Sequence, residues 1–490
     1  MIDRLRRLMV VYAASFAASL ACAADASELA ARPNVLFIMA DDLRCDLGCY
    51  GGPALSPNID RLAERGTLLR NAYCQQALCN PSRSSLLTGL RPDTLGLWCN
   101  SIHFRELRPR VVTLPEHFKR HGYTTRDVGK IFHNWHTAVH GDPQSWSAPE
   151  FLHYANHGDD KPKIDGVLPP NFATAPKCET RDVPDAAYYD GRVADEAVRV
   201  LGEIKQGPFF LAVGFWKPHS PFNAPKKYWD LYDRARLPGY DPHRPAGAPD
   251  IAFHDGRELR GIPPNQVTFS SAEAAEIRHG YLAGISYMDA QVGKVLAALD
   301  QHGLADSTIV VFVADHGYHL GEHDLWAKTS NFERDAHVPL IVASPGAKRR
   351  GVASAALVEL LDLYPTLVER CGLPAVDGLE GTSMLPLLDD PTATVKPAAF
   401  TEHPRPAYYD REMPPVPQVM GYSVRTPQVR YTEWRAWDTG DVVARELYDH
   451  ASDPLEMRNA IETVSERTAL DKAVGLLRRQ FPSDRTPAQR

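Results

Sequence analysis

The chain has 490 residues, of which 44% are hydrophobic and 23% are charged, and its formal net charge is -7. A chain of this length and composition can bury a large core, which excludes a disordered protein and favours one large domain with a smaller companion. The acidic balance argues against the basic surface that nucleic-acid binders need to neutralise phosphates, so we expect no nucleic-acid partner. Any anionic ligand must therefore be bound by a local cluster of cations.

The N-terminus has the pattern of an export signal. A basic start precedes an apolar run over residues 8–21 and a small-residue cleavage pattern at Ala21-Cys22-Ala23. The pattern predicts a signal peptide over residues 1–23 and an exported protein, in a periplasmic, secreted or lysosome-like location. A membrane anchor is the alternative, but the run is short for a span and contains two serines; a lipoprotein anchor is disfavoured because Ser19 stands where leucine is expected. We expect no stable membrane span after cleavage.

Two apolar runs end in acidic residues. Asn34–Ala40 is followed by Asp41-Asp42, and Thr308–Ala314 is followed by Asp315-His316. Continuous apolar runs are typical of strands buried on both faces of a parallel sheet, with function at their carboxyl ends. Carboxylates brought together there favour Ca²⁺ or Mg²⁺ over zinc. An Asp after a strand is also commonly a mere turn or helix cap.

The remaining pattern alternates strands and helices. Another strand is predicted in Pro208–Phe215, and apolar residues recur at helical spacing over 283–299. This alternation predicts an α/β sandwich with a mostly parallel central sheet. Composition changes through a Pro-rich connector, so we predict a large domain over residues 32–390 and a small C-terminal α+β subdomain over residues 398–490.

Long loops and cysteines add constraints. Loops over 135–184 and 237–266 are rich in Pro, Gly, Asp and His, and loops of that length usually shape a binding site or are disordered. Six cysteines remain besides Cys22 and Cys79, an even number compatible with disulfides outside the cytosol: Cys45, Cys49, Cys74, Cys99, Cys178 and Cys371. Their pairing cannot be deduced, and the close spacing of the first two, without a second close pair, gives only weak support for zinc.

The sharpest motif is Cys79-Asn80-Pro81-Ser82-Arg83, followed by Thr88-Gly89. Proline near the start of an amphipathic segment predicts a helix N-terminus, where the helix dipole favours an oxyanion and a lowered pKa of the Cys79 thiol. Arg83 lies about one turn along and can meet the same anion. A thiolate phosphatase would place its arginine six residues after the cysteine, where this chain has Ser85. A buried cysteine before a helix is the commoner role of a lone cysteine.

A second motif, His316-x-x-His319-x-x-x-His323, has the spacing of zinc ligands on one helix face. Gly317 and Gly321 interrupt such a helix, so the pattern argues against zinc there.

The Cys79 motif resembles the signature C-x-P-S-R of the type I sulfatases, which belong to the alkaline-phosphatase-like α/β superfamily. Four further segments, over 129–133, 217–222, 315–323 and 326–332, resemble the iduronate-2-sulfatase branch, and the likeness runs from about residue 34 to 459. The resemblance implies a sulfuric ester hydrolase that removes sulfate from a sulfated oligosaccharide, such as a glycosaminoglycan, with the 2-O-sulfate of a uronic acid as the expected group.

The resemblance also implies the centre of the site. In type I sulfatases the cysteine is converted to formylglycine by a formylglycine-generating enzyme, and the hydrated aldehyde supplies the nucleophile. The family binds Ca²⁺, with Mg²⁺ the less expected ion, and the matching ligands are Asp41, Asp42, Asp315, His316 and the residue made from Cys79. The last of the four unmodified ligands is His316, and a histidine at this position marks the iduronate-2-sulfatase branch.

Cations complete the implied site. Basic side chains on loops are usually solvated, but an acidic protein that binds sulfate needs several donors for the charge that develops on S–O cleavage. The matching positions are Lys130 and His133 near the nucleophile, with His219 and Lys328 gripping the sulfate or protonating the leaving oxygen. Arg83 and Lys130 would hold the formylglycine and the sulfate charge, and His133 would draw the proton that expels sulfate.

Departures from the branch leave the sugar open. Tyr318 stands where the lysosomal enzymes carry tryptophan, and the two long loops share little with them. The alternatives are a phosphodiesterase or phosphonate monoester hydrolase of the same superfamily, or a non-catalytic glycan-binding relative.

Overall fold

The structure is a computed structural model that describes residues 32–133, 139–151, 178–254, 256–261, 266–407, 417–463 and 467–482. The predicted signal peptide over residues 1–23 lies outside the described residues, as does much of the predicted loop over 135–184. Within the described ranges, no helix is long and apolar enough to cross a membrane.

Fifteen strands occur in the described residues. They are β1 (Asn34–Asp41), β2 (Thr67–Tyr73), β3 (Thr124–Gly129), β4 (Cys178–Arg181), β5 (Phe209–Pro218), β6 (Phe222–Pro225), β7 (Thr308–Ala314), β8 (His319–Leu320), β9 (Trp326–Ala327), β10 (His337–Ala343), β11 (Val352–Glu359), β12 (Ala399–Arg405), β13 (Val419–Arg425), β14 (Val429–Ala436) and β15 (Val442–Asp449).

Seven strands form the central sheet, in the order β11-β2-β10-β7-β1-β5-β3. Strand β1 pairs in parallel with β5 and β7, β3 with β5, and β2 with β11, whereas β10 is antiparallel to both of its neighbours. The sheet is thus mostly parallel, which confirms the predicted α/β class. Since parallel strands end at one edge of a sheet, the residues after β1, β3, β5 and β7 meet there.

The central strands explain the apolar runs of the sequence. Every residue of β1, β5 and β7 is buried, so the sheet is covered on both faces. A strand buried on both faces needs apolar side chains at consecutive positions rather than at alternate ones. The predicted limits are right for β7, while β1 continues to Asp41 and β5 begins at Phe209 and continues to Pro218.

Thirteen α-helices occur in the described residues. They are α1 (Pro57–Arg65), α2 (Cys79–Thr88), α3 (Pro92–Leu95), α4 (Phe104–Leu107), α5 (Leu114–Arg120), α6 (Tyr189–Ile204), α7 (Lys226–Trp229), α8 (Arg257–Arg260), α9 (Ser271–Gln301), α10 (Glu333–Ala336), α11 (Leu363–Arg370), α12 (Leu385–Asp389) and α13 (Arg467–Gln480). Helices α1, α6 and α9 pack together in one group, and α2, α5 and α11 form another.

The predicted helix over 283–299 is the second half of α9, which has 31 residues. The helix begins at a capping box: the Ser270 hydroxyl accepts from the Glu273 backbone N–H at 3.3 Å, and the Glu273 carboxylate accepts from the Ser270 N–H at 2.8 Å. Its first turn is exposed, so apolar spacing did not reveal where it begins.

A second sheet follows near the C-terminus. Strands β12, β13, β14 and β15 are antiparallel in sequence order, and α13 packs against β13 and β14. A separate apolar cluster that includes Met420, Val424, Leu447 and Leu477 lies between this sheet and the helix. The predicted smaller α+β unit is therefore present.

The even number of cysteines was compatible with disulfides, but the cysteines named here do not form them. Cys45, Cys49, Cys74, Cys99 and Cys371 carry free thiols, so the six cysteines set aside by the sequence do not pair as a set. The potential metal clusters within the described ranges include neither Cys45 nor Cys49. Cys45 instead lies with its sulfur 3.7 Å from His337 Nε2.

Candidate active site

The candidate active site lies where the parallel strands of the central sheet end. Asp41 is the last residue of β1, Lys130 follows β3, His219 follows β5 and Asp315 follows β7. All four residues are buried. Because they come from distant parts of the chain, the sheet topology brings them together.

Cys79 is the first residue of α2, so it lies at a helix N-terminus as the sequence predicts. Its sulfur is 3.5 Å from Asp41 Oδ1 and 3.3 Å from His316 Nε2. Lys130 Nζ is 3.7 Å from the same sulfur and also donates to Asp41 Oδ2. Only 1% of Cys79 is exposed, so the residue is enclosed by acidic and basic groups together.

The predicted lowering of the Cys79 pKa is wrong. Burial raises the pKa of this thiol to about 12, and the Asp41 carboxylate adds to the rise, while the Lys130 and Lys328 ammonium groups oppose it. Desolvation of a thiolate outweighs the helix dipole here. A neutral thiol is a poor nucleophile, which argues against the thiolate-phosphatase alternative.

Cys79 and three buried residues around it have the arrangement of a metal site. Asp41, Cys79, Asp315 and His316 each offer one ligand atom, and these atoms lie within 4.8 Å of one another. His316 Nδ1 is 3.0 Å from the Gly317 carbonyl oxygen, which leaves Nε2 facing the site. The two carboxylates are hard donors of the kind that Ca²⁺ and Mg²⁺ prefer, whereas the thiol sulfur and the imidazole nitrogen are softer donors.

Asp42 adjoins this group. Its backbone N–H donates to Asp315 Oδ1 at 3.1 Å, and its Oδ1 is 3.5 Å from His316 Nδ1. Asp42 has a φ of 61°, in the left-handed region that is costly for a residue other than glycine. The surrounding bonds hold this conformation, which aims the carboxylate into the site.

Arg83 braces the carboxylates from behind. Its Nε donates to Asp315 Oδ2 at 2.8 Å, and its Nη2 is 3.3 Å from Asp41 Oδ1. Nη1 donates to the carbonyls of Lys130 and Ile131 at 2.5 and 3.1 Å. The guanidinium is fully buried, so it offsets acidic charge that water cannot reach.

His133 is the last predicted site residue of this segment. It is buried and lies four residues after β3 ends, just beyond the carbonyl that Arg83 binds. The structure thus places it on the same turn as Lys130.

Lys328 anchors the other side of the site. Its Nζ donates to both carboxylate oxygens of Asp42, at 3.0 and 3.1 Å, and is 3.1 Å from His219 Nε2. It also donates to Glu258 Oε1 at 2.9 Å. Although burial alone would lower it, the carboxylates of Asp42 and Glu258 raise the pKa of Lys328 well above its usual value. The side chain therefore stays a cation at neutral pH.

Glu258 is a site residue that the sequence analysis missed. It lies on α8, inside the predicted loop over 237–266, and accepts from Tyr318 Oη at 3.4 Å besides Lys328. A Glu in the short element Arg-Glu-Leu-Arg carries no motif of its own. Only its position in the fold connects it to the site.

Two buried carboxylates that sequence reasoning also missed hold the backbone of the site. Asp190 accepts from the backbone N–H groups of Trp216 and Lys217, at 2.8 and 3.0 Å, and so fixes the end of β5 before His219. Asp335 accepts from the backbone N–H and the hydroxyl of Ser330, at 2.9 and 2.6 Å, two residues after Lys328.

The three histidines of the His316-x-x-His319-x-x-x-His323 motif do not converge on one point, although His319 Nε2 lies 3.4 Å from His323 Nδ1. His316 faces Cys79, His319 Nδ1 is 2.7 Å from Asp335 Oδ1, and His323 Nε2 is 2.8 Å from the Leu455 carbonyl oxygen. The potential metal clusters in the described part of the chain do not combine them.

A cavity of about 880 Å³ lies beside the site. Arg44, Tyr240, Arg278, Glu322 and Arg334 are among the residues that line it. None of the predicted site residues lines this cavity, so it gives no information about the reaction.

Comparison with known proteins agrees with the geometry. Residues 33–373 match the sulfatase family, and residues 321–479 match the family described as N-sulphoglucosamine sulphohydrolase, C-terminal. The iduronate 2-sulfatase of Mus musculus is 36% identical over 91% of this chain and 94% of that protein. The iduronate 2-sulfatase of Homo sapiens is 36% identical over 87% of this chain and 90% of that protein.

Solved structures share the fold. One, described in complex with its substrate D-glucosamine-2-N,6-O-disulfate, has a TM-score of 0.73 at 22% identity and covers 94% of this chain and 100% of its own. The phosphonate monoester hydrolase of Agrobacterium radiobacter has a TM-score of 0.72 at 23% identity, covering 92% and 96%. A structure described as a 2-O GAG sulfatase has a TM-score of 0.66 at 25% identity, covering 92% of each chain.

Proposed function

The chain belongs to the sulfatase family and is a sulfuric ester hydrolase, and from that premise we propose that it removes the 2-O-sulfate of a uronic acid in a sulfated glycan. The proposal is supported by the 36% identity to two proteins named iduronate 2-sulfatase, which extends over most of the chain. Sulfated saccharides also appear in the descriptions of structures with this fold.

The observation that carries the proposal is the placement of Cys79. It begins a helix, is enclosed by Asp41, His316 and Lys130, and has a thiol that burial keeps neutral. Such a cysteine is not suited to direct attack as a thiolate, so the nucleophile of a sulfatase at this position must be another group. We infer that it is converted to formylglycine by a formylglycine-generating enzyme.

We also infer the cofactor. Asp41, Asp42, Asp315 and His316 would hold Ca²⁺, with Mg²⁺ the weaker candidate, together with an oxygen at position 79. The bound cation would polarise the sulfate ester, and the hydrated formylglycine would supply the hydroxyl that attacks sulfur.

The protein's own groups would do the rest. Lys130 lies beside residue 79 and can hold negative charge on the sulfate, while Arg83 keeps the ligand carboxylates in place. Lys328, which is protonated at neutral pH and contacts His219, can donate the proton that an alkoxide leaving group needs, because an alkoxide is the stronger base. His133, on the Lys130 turn, would accept the proton when sulfate is expelled.

The same proposal includes the organisation of the chain. We infer a signal peptide over residues 1–23, export from the cytosol, a catalytic domain over 32–390 and a smaller subdomain over 398–490. The composition of the N-terminus and the two separate sheets support this division.

The test measures sulfate release from disaccharides that carry sulfate at defined positions. Protein co-expressed with a formylglycine-generating enzyme is compared with a Cys79→Ala variant, and mass spectrometry establishes the state of position 79. We expect release from a 2-O-sulfated uronate by the first protein and none by the second.

Other outcomes would redirect the proposal. Release only from sulfated hexosamines would keep the sulfatase but refute the sugar. Hydrolysis of phosphonate monoesters or phosphodiesters in place of every sulfate, with formylglycine present, would favour the hydrolase alternative. Binding of the disaccharides without turnover of any ester would favour a non-catalytic glycan-binding protein.

A further inference from the structure

The ammonium group of Lys328 has a complete set of partners. An ammonium carries three N–H donors, and three side chains surround this one: Asp42, His219 and Glu258. Only 2% of the Lys328 side chain is exposed, so in the intact protein its partners are protein groups and not bulk water. The direction of the donors is set by these three groups.

The three partners of Lys328 differ in their other contacts and in their exposure to solvent. Asp42 and His219 lie against the Cys79 centre, where they form one of the potential metal clusters. Glu258 belongs to none of the potential clusters found in the described ranges. It is also the partner most open to solvent, with 18% of its side chain exposed against 0% for Asp42 and 8% for His219. Glu258 thus holds Lys328 from the side nearer to solvent.

Glu258 is itself held in place. The Tyr318 hydroxyl donates to its Oε1 at 3.4 Å, and the Tyr318 ring stacks on Tyr281, with 6.0 Å between ring centroids. Tyr281 in turn donates to the Asp42 carbonyl oxygen at 2.7 Å. This chain of contacts ties the carboxylate to the end of β1, although α8 lies in a long connection.

We propose that Glu258 is a positioning residue: together with Asp42 it fixes the Lys328 ammonium, so that when the ester binds, the N–H that faces His219 Nε2 in the free protein turns to the oxygen that leaves with the alcohol. The inference rests on the role that the proposed function gives to Lys328. Without Glu258, Asp42 is the only carboxylate bound to the Lys328 ammonium. The ammonium then moves closer to Asp42 and away from the oxygen that leaves with the alcohol. Substrate binding has no need of Glu258, because a carboxylate does not attract an anionic ester.

The role predicts a dependence on the leaving group. Phenolate is a poor leaving group that gains from a proton donor, whereas 4-nitrophenolate leaves with little help. Loss of a well-directed donor must therefore slow phenyl sulfate more than 4-nitrophenyl sulfate. General damage to the site would slow both esters alike.

The experiment compares Glu258→Ala, Glu258→Gln and wild type, each with formylglycine confirmed at position 79. We expect Glu258→Ala to lower kcat for phenyl sulfate about tenfold, a fraction of what a general acid contributes, and kcat for 4-nitrophenyl sulfate less than about twofold. KM should not rise for either ester. Glu258→Gln keeps an oxygen that accepts from Lys328, so it should restore kcat to within about threefold of wild type.

A matched control removes another carboxylate near the same connection. Glu276 lies on α9, and its exposed side chain pairs only loosely with Arg234 at 3.4 Å. Glu276→Ala should leave both esters unaffected. An equal loss on both esters in Glu258→Ala, or a rise in KM at unchanged kcat, would overturn the positioning role.

The aryl esters separate this inference from the proposed sugar. Turnover of aryl sulfates with no release from any sulfated disaccharide would refute the sugar and leave the Glu258 comparison valid. If wild type hydrolyses neither aryl ester, a crystal structure of Glu258→Ala decides. Lys328 unmoved against Asp42 and His219 would then overturn the proposal.

Discussion

Arg83 neutralises acidic groups of the candidate active site that no water reaches. Its guanidinium contacts both Asp315 and Asp41, and all three side chains are 0% exposed. A planar guanidinium can bond two carboxylates and two carbonyls at once, which a lysine ammonium cannot do in this geometry. The arginine of the motif is therefore first a structural residue of the acidic centre.

We predict that Arg83→Met destabilises the calcium-free protein by about 3 kcal/mol, because it leaves two buried carboxylates short of a partner. Urea unfolding in EDTA measures the change. The control is Arg65→Met, which removes a surface pair with Asp300 whose side chains are 51% and 41% exposed. Exposed pairs contribute at most about 1 kcal/mol. Equal losses in the two variants would contradict the assignment.

Glu258, Asp190 and Asp335 show where sequence reasoning stops at the residue scale. The predicted site residues could be found because short motifs surround them, as in the segment that contains Cys79 and Arg83. The three missed carboxylates act on groups far away in the chain, or on backbone N–H groups, and neither kind of contact leaves a local pattern. The pKa of Cys79 was mispredicted because burial cannot be read from a helix start.

At the scale of elements, two glycines allow β3 and β5 to approach closely beside the site. Gly129 pairs in register with Gly214, and the Lys130 N–H donates to the Gly214 carbonyl at 2.9 Å. A Cβ on Gly214 would lie 2.0 Å from the Lys130 carbonyl oxygen, and one on Gly129 would lie 2.1 Å from that of Gly214. Gly129 also has a φ of 92°, which turns the chain so that Lys130 leaves the sheet toward Cys79.

We predict that Gly214→Ala separates the two strands and displaces Lys130. Overpacking of this kind costs about 2 kcal/mol of stability, and a shift of a charged group near the nucleophile should lower kcat/KM for sulfate release about 100-fold. Gly207→Ala is the control, since a Cβ there meets nothing within 4 Å. Wild-type kcat/KM in Gly214→Ala would show that the close approach does not position Lys130.

The elements could be predicted from the sequence where burial of apolar side chains alone determined which residues form them. Strands β1, β5 and β7 are buried throughout, so their apolar runs stand out in the sequence. Helix α9 was found only in part, because its N-terminal turn is set by the Ser270–Glu273 capping box rather than by apolar spacing. Helix α8 is a single turn in a Pro- and Gly-rich stretch, and nothing in its composition distinguishes it from a loop.

On the scale of the whole molecule, the two sheets are joined through buried polar contacts. The Asp93 N–H donates to the Glu402 carboxylate at 2.8 Å, and the Tyr422 hydroxyl donates to Asp93 Oδ2 at 2.8 Å. Asn331, three residues after Lys328, donates to the Gly421 carbonyl at 3.0 Å. Buried bonds of this kind cannot be exchanged for water without cost, so we expect the sheets to unfold together.

Calcium should therefore stabilise the molecule as one unit. Binding only to the folded state adds about 2.7 kcal/mol when free Ca²⁺ is 100 times its Kd. In calorimetry we expect one transition that moves to higher temperature with Ca²⁺. Asp315→Ala should abolish the shift, whereas Asp195→Ala, which removes a carboxylate paired with Lys294 on the surface, should preserve it. Two resolved transitions, of which Ca²⁺ moves only one, would contradict this prediction. The smaller sheet would then unfold independently, and its contact with Asn331 near Lys328 would not couple its unfolding to the binding of Ca²⁺.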